Sequence, residues 1–383
     1  MTLSGILANE ELRRSEFPVA RDKIFLAHAG VCPLPRRVAQ AIADYAARAA
    51  TNDQETLVVP DRLDHARKLA SQLLHCRPDE IALVGPTSLA LSFVAAGLNF
   101  RRGDNILIYH DDYPSNVYPW MALAERGVEV RLLNARGLGV IRPQDVAGQV
   151  DENTRLVALA SCHFISGHRL EHGAIGKFLR ERGILFCLDA IQTLGAFPTA
   201  VEHVDFVAAD AHKWLLGPCG AGVLYVRREL QEKLNPPVYG WHNVRNPNFV
   251  AQEQIVFRRG AVKYEAGTQN MLGVVGLIAA MELALEIGPD NIAAELLRKR
   301  AQLVAALSAK NFTVLNAEAK AENASGIVSF CRPGKNLAAL HKKLAEAGVV
   351  TSLRMDRQGQ NYIRFSPHFY NTDAELQRAL ELL

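Results

Sequence analysis

Residues 205–227 read DFVAADAHKWLLGPCGAGVLYVR, and this stretch decides the fold. Two short apolar runs of strand composition, at 204–210 and 220–226, flank a turn that contains Lys213. A lysine where two buried strands end loses hydration, which lowers its pKa toward that of a nucleophilic amine able to form a Schiff base. The alternative is a lysine whose stem lies on the surface while its ammonium group reaches water.

A carboxylate upstream favours the first of these alternatives. Residues 183–192, GILFCLDAIQ, predict a buried strand that delivers Asp189 at its C-terminal end, the edge of a parallel sheet where ligands bind. An aspartate, a histidine and a lysine on consecutive strand ends are the groups that pyridoxal phosphate requires. They supply an acid that keeps the pyridine nitrogen protonated, an amine for the aldehyde and donors for the phosphate.

At these residues the sequence resembles the class V aminotransferase family, in its cysteine desulfurase and isopenicillin N epimerase-like branch of the fold-type I pyridoxal phosphate enzymes. The resemblance implies that Lys213 holds the cofactor as an aldimine and then acts as general base at Cα. It implies that Asp189 enables the pyridine ring of the cofactor to act as an electron sink. It also implies that Gln192 forms a hydrogen bond near the ring oxygen. Asp210 and His212 are implied as further cofactor-binding residues.

The composition is that of an ordinary globular protein with a large core: 383 residues, 49% hydrophobic and 22% charged. A formal charge of +3, from 43 basic and 40 acidic residues, predicts no nucleic-acid partner and no polybasic membrane contact. The six cysteines lack CxxC spacing and predict reduced thiols. We find no signal peptide pattern and no run of eighteen apolar residues, so we predict a cytoplasmic protein without membrane contact.

The order of predicted elements indicates two domains. Short apolar strands alternate with helical stretches from residue 81 to 227, which predicts a mostly parallel, doubly covered sheet in one large domain. Helices and short strands, one of them expected at 349–353, then follow an α+β pattern. We therefore predict an α/β fold of fold-type I, with an N-terminal arm at 1–17 that packs on the small domain, a cofactor-binding large domain at 18–270 and a small C-terminal domain at 271–383.

A turn early in the large domain has the form of a phosphate site. A strand at 81–84, the residues GPTS at 85–88 and a helix at 89–98 would present N–H groups and hydroxyls at a helix N-terminus. An ordinary helix N-cap is the alternative use of such residues. The family places the cofactor phosphate at this turn, and the resemblance carries that role to Thr87 and Ser88.

The loop after the strand at 105–109 carries an aromatic residue where the family places a flat side chain over the cofactor ring, commonly a histidine. Here residues 113–116 read YPSN, so Tyr113 would stack on the ring. Tyr113 and Trp120 could also be core aromatics, and for Trp120 we expect this. The departure from histidine removes an imidazole that could assist proton transfer in desulfurases.

Two histidines are candidates for the substrate pocket. His28 stands where the family often has an asparagine that lines the pocket, although a lone histidine could equally be a structural hydrogen-bonding residue. His163 lies in a turn at 161–169 and could face the cofactor there. His163 and His168 do not form a metal-ligand pair on a helix face, because Gly167 interrupts the segment, so no metal is predicted.

Residues 260–270, GAVKYEAGTQN, resemble the family's Glu-Ala-Gly-Thr loop, which crosses to the neighbouring subunit. The resemblance implies that Thr268 gives its hydroxyl to that subunit's phosphate. The active site would then be completed across a homodimer interface. Otherwise Thr268 is only the N-cap of the following helix.

Residues 362–372, YIRFSPHFYNT, closely resemble the family's Arg-x-Ser…Tyr-Asn-Thr signature. An arginine at a strand end can direct two N–H groups onto a substrate carboxylate, and the resemblance assigns this role to Arg364. Arg354 could join Arg364 in binding an acidic or larger substrate, although an exposed loop arginine is the commoner case.

We predict an enzyme that acts at Cα of an amino acid, first of all an aminotransferase. An epimerase and a C–S lyase are alternatives, because these reactions start from the same carbanion, and a non-catalytic regulatory protein that binds the cofactor is another. Desulfuration with persulfide transfer is not expected. The stretch at 348–361, where desulfurases carry the nucleophilic cysteine, has none, and Cys331 lies in an apolar run.

Overall fold

The computed structural model describes residues 1–57 and 60–383 and contains two sheets and a short parallel strand pair. The strands in chain order are β1 (Ile24–Phe25), β2 (Ile81–Val84), β3 (Asn105–Ile108), β4 (Glu129–Leu132), β5 (Thr154–Ala160), β6 (Leu185–Asp189), β7 (Phe206–Asp210), β8 (Gly222–Val226), β9 (Thr313–Val314), β10 (Val328–Cys331), β11 (Val349–Val350), β12 (Ser352–Met355) and β13 (Asn361–Phe365).

The larger sheet has seven strands in the order β2-β8-β7-β6-β5-β3-β4. The five neighbouring strands β4, β3, β5, β6 and β7 run parallel to one another. Strand β8 runs antiparallel to both of its neighbours, β7 and β2. The predicted mostly parallel sheet is confirmed. Because β6 and β7 are parallel neighbours, their final residues, Asp189 and Asp210, lie at the same edge, and Lys213 follows three positions later.

The helices are α1 (Leu3–Ala8), α2 (Glu10–Glu16), α3 (Arg36–Ala49), α4 (Gln54–Leu57), α5 (Pro60–Leu74), α6 (Thr87–Gly97), α7 (Tyr118–Met121), α8 (Pro143–Ala147), α9 (His172–Glu181), α10 (Met271–Ile287), α11 (Pro289–Ala309), α12 (Leu337–Glu346) and α13 (Asp373–Glu381). Within the described ranges, no single helix is both long and apolar enough to cross a membrane. Only α10 and α11 taken together have the necessary length and composition, and they are bent by 76° at their junction.

Helices cover both faces of the larger sheet, which explains why its strands are continuous apolar runs rather than alternating ones. Every residue of β3, β7 and β8 is buried. One face packs against α3, α5, α9 and α10, and the other packs against α6 and α7. This rigid double layer fixes the strand ends that carry the candidate site.

The smaller sheet is antiparallel, in the order β12-β13-β10-β9, and α11, α12 and α13 contribute to its core. Here the structure corrects one detail of the sequence prediction. The single strand expected at 349–353 is divided at Thr351, because β11 pairs with β1 while β12 pairs with β13. After this division the chain enters β12, whose Arg354 reaches the edge of the larger sheet where β6 and β7 end.

The N-terminal arm contacts the C-terminal part of the chain. Arg13 donates to Glu375 at 2.8 Å, and the ring of Phe17 stacks on that of Tyr370 with centroids 4.0 Å apart. Helix α10 belongs by its packing to the core of the larger sheet, although the boundary predicted at 271 assigns it to the small domain. The division of the chain at residues 17 and 270 stays a prediction.

Candidate active site

A cavity of about 250 Å³ opens where β6 and β7 end, between the larger sheet and the β12–β13 hairpin. Most of the residues predicted for the site line it together: Thr87, Ser88, Tyr113, Asp189, Gln192, Asp210, His212, Lys213 and Arg364. These residues come from distant parts of the chain. Their convergence at one sheet edge is the pattern expected of ligand sites in open parallel sheets.

Lys213 has the geometry of an activated amine. Its side chain is only 7% exposed, and burial lowers its pKa to about 8, an effect that the Asp189 carboxylate opposes and the Arg364 and Arg354 charges reinforce. Its Nζ lies 5.2 Å from the centroid of the Tyr113 ring. About a tenth of the amine is therefore unprotonated at pH 7, far more than for an ordinary lysine, and this is the form that a nucleophile or base requires.

Asp189 is held rigidly at the end of β6. Its Oδ1 accepts a hydrogen bond from the Ile191 N–H at 3.0 Å. Burial raises its pKa, while that N–H group and the Lys213 charge lower it. A buried carboxylate facing a cavity can bind a protonated ring nitrogen or an ammonium group through a charge-assisted hydrogen bond.

Asp112 is a second buried carboxylate at this edge, and the sequence analysis missed it. Its Oδ2 accepts from the Ala160 N–H at 2.9 Å and from the Asn116 amide at 3.1 Å. Burial and the nearby Asp189 charge raise its pKa to about 7. The signal available in the sequence was its place in the loop that follows a buried strand, next to Tyr113.

The opposite end of the cavity offers donors for an anion. Helix α6 begins at Thr87 and no side chain caps it, so the N–H groups of its first two residues, Thr87 and Ser88, have no intrahelical partners, whereas Leu89 donates to the Pro86 carbonyl at 2.8 Å. The Thr87 hydroxyl oxygen accepts from the Asp210 N–H at 2.9 Å, which fixes the helix against β7. His212 Nδ1 lies 3.1 Å from Asp210 Oδ2, so the imidazole stands beside this carboxylate at the same end of the cavity.

Gln192 uses its amide to support the cavity wall. Its Nε2 donates to the Ala29 carbonyl at 3.1 Å, and its Oε1 accepts from the Trp214 indole N–H at 2.8 Å. These bonds connect the segment that carries Gly30 and Val31 to the residue next to Lys213. The predicted contact with a ring oxygen stays a prediction.

Arg364 projects into the cavity from β13. It is 1% exposed and donates to the Phe164 carbonyl at 2.5 Å and to the Ser352 hydroxyl at 3.3 Å. Arg354, on the neighbouring strand, also lines the cavity. A buried guanidinium with donors facing empty space is suited to a carboxylate ligand.

Three predicted residues lie outside the cavity. His28 is fully buried, its Nδ1 donates to the Ser366 carbonyl at 2.9 Å, and its Nε2 accepts from the Tyr370 hydroxyl at 2.8 Å. His163 Nε2 donates to the Asp111 carbonyl at 2.9 Å, and Thr268 is exposed on the surface. The geometry thus gives both histidines structural hydrogen bonds and does not support the substrate contacts predicted for them.

The residue next to His163 reaches the cavity instead. Phe164 lines it, with its ring edge-on to Tyr113 at 5.3 Å between centroids, and Gly30 lines it two positions after His28. Both segments thus reach the cavity through residues other than the predicted histidines. In the part of the chain that the structure describes, no group of three or more His, Cys, Asp or Glu side chains is arranged to hold a metal ion.

Comparison with known proteins is consistent with this geometry. The sequence model described as "Aminotransferase class-V" matches residues 24–379. A probable cysteine desulfurase of Methanothermobacter thermautotrophicus is 30% identical over 397 residues, which cover 98% of each chain.

Solved structures share the fold. The apo structure of a cysteine desulfurase from Thermococcus onnurineus NA1 superposes with a TM-score of 0.87 at 23% identity, covering 97% of this chain and 96% of that one. Two structures of C-DES, described as a cystine C–S lyase, have TM-scores of 0.87 at 22% identity and cover 95–96% of this chain and 98% of theirs. One contains glycine covalently linked to the pyridoxal phosphate cofactor and the other contains the product cysteine persulfide.

Proposed function

Because this chain belongs to the class-V aminotransferase family, whose cofactor is pyridoxal phosphate, we propose that it is a lyase that cleaves the Cβ–S bond of a sulfur-containing α-amino acid. The observation that carries the proposal is the shared cavity of the Lys213 amine, the Asp189 carboxylate and the Arg364 guanidinium. The relative named as a probable cysteine desulfurase favours C–S chemistry over the transamination that we expected first.

The cavity residues fit the cofactor. Lys213 offers a buried amine with a lowered pKa for the aldehyde, and Asp189 offers a carboxylate for the ring nitrogen. The uncapped start of α6, with Thr87 and Ser88, offers donors for the phosphate. What the bound cofactor supplies is an electron sink for the bonding electrons at Cα.

The protein's own groups would perform the remaining tasks. Arg364 would bind the substrate carboxylate and so orient Cα toward Lys213. Lys213 Nζ, with a pKa of about 8, would remove the Cα proton as a free base and return a proton afterwards. The rings of Tyr113 and Phe164, 5.3 Å apart, would cover the reacting atoms and exclude water.

The thiols of the chain support release of the sulfur rather than its transfer to the enzyme. Burial raises the pKa of Cys32 to about 12 and that of Cys162 to about 11, so neither is a ready thiolate. Cys219 is exposed but does not line the cavity. The hairpin at 352–361, which does reach the cavity through Arg354, contains no cysteine.

The proposed reaction balances with water as the only co-reactant. The Cβ–S bond breaks and its electron pair leaves with sulfur, which takes up a proton to give a thiol or persulfide. The remaining three-carbon fragment is hydrolysed to pyruvate and ammonium. No keto-acid acceptor is consumed, which separates this reaction from transamination.

Product analysis tests the proposal. The purified protein with bound cofactor is incubated with a panel of sulfur-containing and sulfur-free amino acids, with and without a keto acid. We expect pyruvate, ammonium and a thiol product without an acceptor, and only from the sulfur-containing members. Amine transfer that depends on the keto acid would instead identify an aminotransferase.

We also infer that the enzyme is a homodimer. Thr268 is exposed, as a residue that completes a neighbour's phosphate site would be before association. Large apolar side chains are exposed on the preceding segment: Tyr239, Trp241, Phe249, Val250, Ile255 and Val256. Such a concentration of exposed apolar surface favours burial in a protein interface.

A further inference from the structure

Two arginines enter the cavity from one face of the small sheet. In the antiparallel register of β12 and β13, Ser352 stands opposite Arg364 and Arg354 stands opposite Tyr362. Side chains two positions apart point to the same face of a strand. Arg354 and Arg364 are therefore diagonal neighbours on one face, close enough for long side chains to meet.

Both guanidinium groups end at the same point of the cavity wall. A Cβ atom built on Gly30 would lie 3.7 Å from Arg364 Nη2 and 3.8 Å from Arg354 Nη2. Any side chain at position 30 would fill the space between them. The absence of a side chain at Gly30 thus leaves a recess that faces two positive charges.

No acidic side chain among the described residues neutralises these charges. The two guanidinium groups donate to the carbonyls of Leu353 and Phe164 and to the Ser352 hydroxyl, and the Nε of Arg364 is buried without a hydrogen-bond partner. Burial and the Arg354 charge together lower the pKa of Arg364. Holding two like charges together, one of them buried, is unfavourable unless an anion joins them.

A single substrate carboxylate does not need both guanidinium groups, those of Arg354 and Arg364. The fork of a single guanidinium already satisfies the two oxygens of a carboxylate, which is the role proposed for Arg364. The acids that line the cavity, Asp189 and Asp210, end strands of the larger sheet and hold backbone N–H groups there. Arg354 is left as a cation that faces the cavity and whose only hydrogen bond in the described structure goes to the carbonyl of Leu353.

We propose that the substrate carries a second anionic group beyond its sulfur, and that Arg354 binds this group at the Gly30 recess while Arg364 binds the α-carboxylate. The inference rests on the proposed lyase function for the position of the sulfur. The substrate class is a cysteine derivative whose sulfur substituent bears a carboxylate. Arg354 is then the residue that determines specificity.

A matched substrate pair tests the proposal on the purified enzyme with bound cofactor. S-carboxymethyl-cysteine carries the second carboxylate, and S-carbamoylmethyl-cysteine replaces it with a neutral amide of the same shape. We expect kcat/KM of the wild-type enzyme to favour the acid by about tenfold or more, the scale of one charge-assisted pair. A ratio near one would overturn the proposal without any variant.

The variant Arg354→Gln isolates the residue. We expect the preference for the acid to fall at least about fivefold, mainly through a higher KM for the acid, while KM for the amide is unchanged; Arg354→Lys should keep part of the preference. Arg378→Gln, which removes an exposed charge from the same domain, should leave the ratio at its wild-type value. An unchanged ratio in Arg354→Gln would contradict the assignment.

Equilibrium binding separates this inference from the lyase proposal. Calorimetric titration with both compounds, carried out in a Lys213→Ala background that cannot remove the Cα proton, measures the preference without turnover. If neither compound is cleaved but the acid binds about tenfold more tightly and loses that advantage in Arg354→Gln, the lyase proposal fails and the anion site stands. If both are cleaved and bound equally, the lyase proposal stands and the anion site fails.

Discussion

The Nζ of Lys213 lies 5.2 Å from the centre of the Tyr113 ring, so the amine and the aromatic face enclose the same space. Tyr113 is 46% exposed and has Phe164 edge-on at its other side. An exposed aromatic residue held above a buried amine is a poor core residue, because nearly half of its surface meets solvent. Its position fits the cover of a flat ring lying over Lys213.

Removal of the Tyr113 ring should weaken cofactor binding. We expect Tyr113→Ala to raise the dissociation constant of pyridoxal phosphate between about 2-fold and 10-fold, because offset aromatic contact is worth about 0.5–1.5 kcal/mol. Tyr113→Phe keeps the ring and should bind like the wild type. Equilibrium dialysis of the three proteins gives the comparison, and equal affinity of Tyr113→Ala and wild type would remove Tyr113 from the cofactor site.

Lys213 should titrate well below the ordinary pKa of a lysine. Its pKa is lowered from 10.5 to about 8, so the fraction of reactive free base rises through pH 8 and is lost as the pH falls below it. Competitive acetylation of the cofactor-free protein, followed by peptide mass spectrometry, measures this fraction. We expect half-maximal reactivity of Lys213 near pH 8, while the exposed Lys320 and Lys342 serve as internal references. Half-maximal reactivity of Lys213 near pH 10.5 would contradict the burial effect.

Arg357 should matter more for substrate binding than for stability. It donates to the carboxylate of Asp111 and, at 2.7 Å, to the carbonyl of His110, and so ties the β12–β13 hairpin to the loop that carries Tyr113. Arg357 is 52% exposed, and an exposed ion pair of this kind contributes about 0–1 kcal/mol.

We therefore expect Arg357→Gln to change the melting temperature by less than about 2 °C but to raise KM several-fold, because Arg354 and Tyr113 lose their fixed spacing. Thermal denaturation and steady-state kinetics measure the two effects. A large loss of stability with an unchanged KM would indicate that the contact serves folding alone.

Thr268 provides the test of the dimer. Sedimentation velocity at micromolar concentration should find a dimer. The Thr268→Ala variant should remain a dimer but retain the cofactor several-fold less tightly, because one hydrogen bond to a charged phosphate is lost. Thr268→Ser retains the hydroxyl and is the matched control. A monomer with full cofactor affinity would exclude a contribution from a neighbouring subunit.

Much of the site could be predicted because its residues follow buried strands. Asp189 ends one continuous apolar run, and Lys213 follows the end of the next by three positions. The carboxyl ends of parallel strands meet at one edge of the sheet, independently of the conformation of the connecting loops. The α/β fold and the family resemblance were predictable for the same reason and are confirmed. These features depend on patterns that are local in the sequence.

The side chains that turns present were less predictable. In the turn after β5 the chain directs Phe164 rather than His163 into the cavity, because His163 donates to the Asp111 carbonyl of a loop that lies far away in the sequence. The His28 imidazole is likewise held outside the cavity by its hydrogen bonds to the Ser366 carbonyl and the Tyr370 hydroxyl. A change of one residue in a turn reverses which side chain faces a ligand, and only tertiary contacts decide it.

The account depends most on Lys213 as the point where the cofactor is attached. The direct measurement is borohydride reduction of the purified protein with its cofactor, followed by digestion and mass spectrometry of the peptides, with Lys213→Ala as the control. We predict a stoichiometric cofactor-derived mass on the peptide that contains Lys213, loss of the visible absorbance band on reduction, and no such label in Lys213→Ala. A label on another lysine, or an unchanged absorbance band in Lys213→Ala, would contradict it.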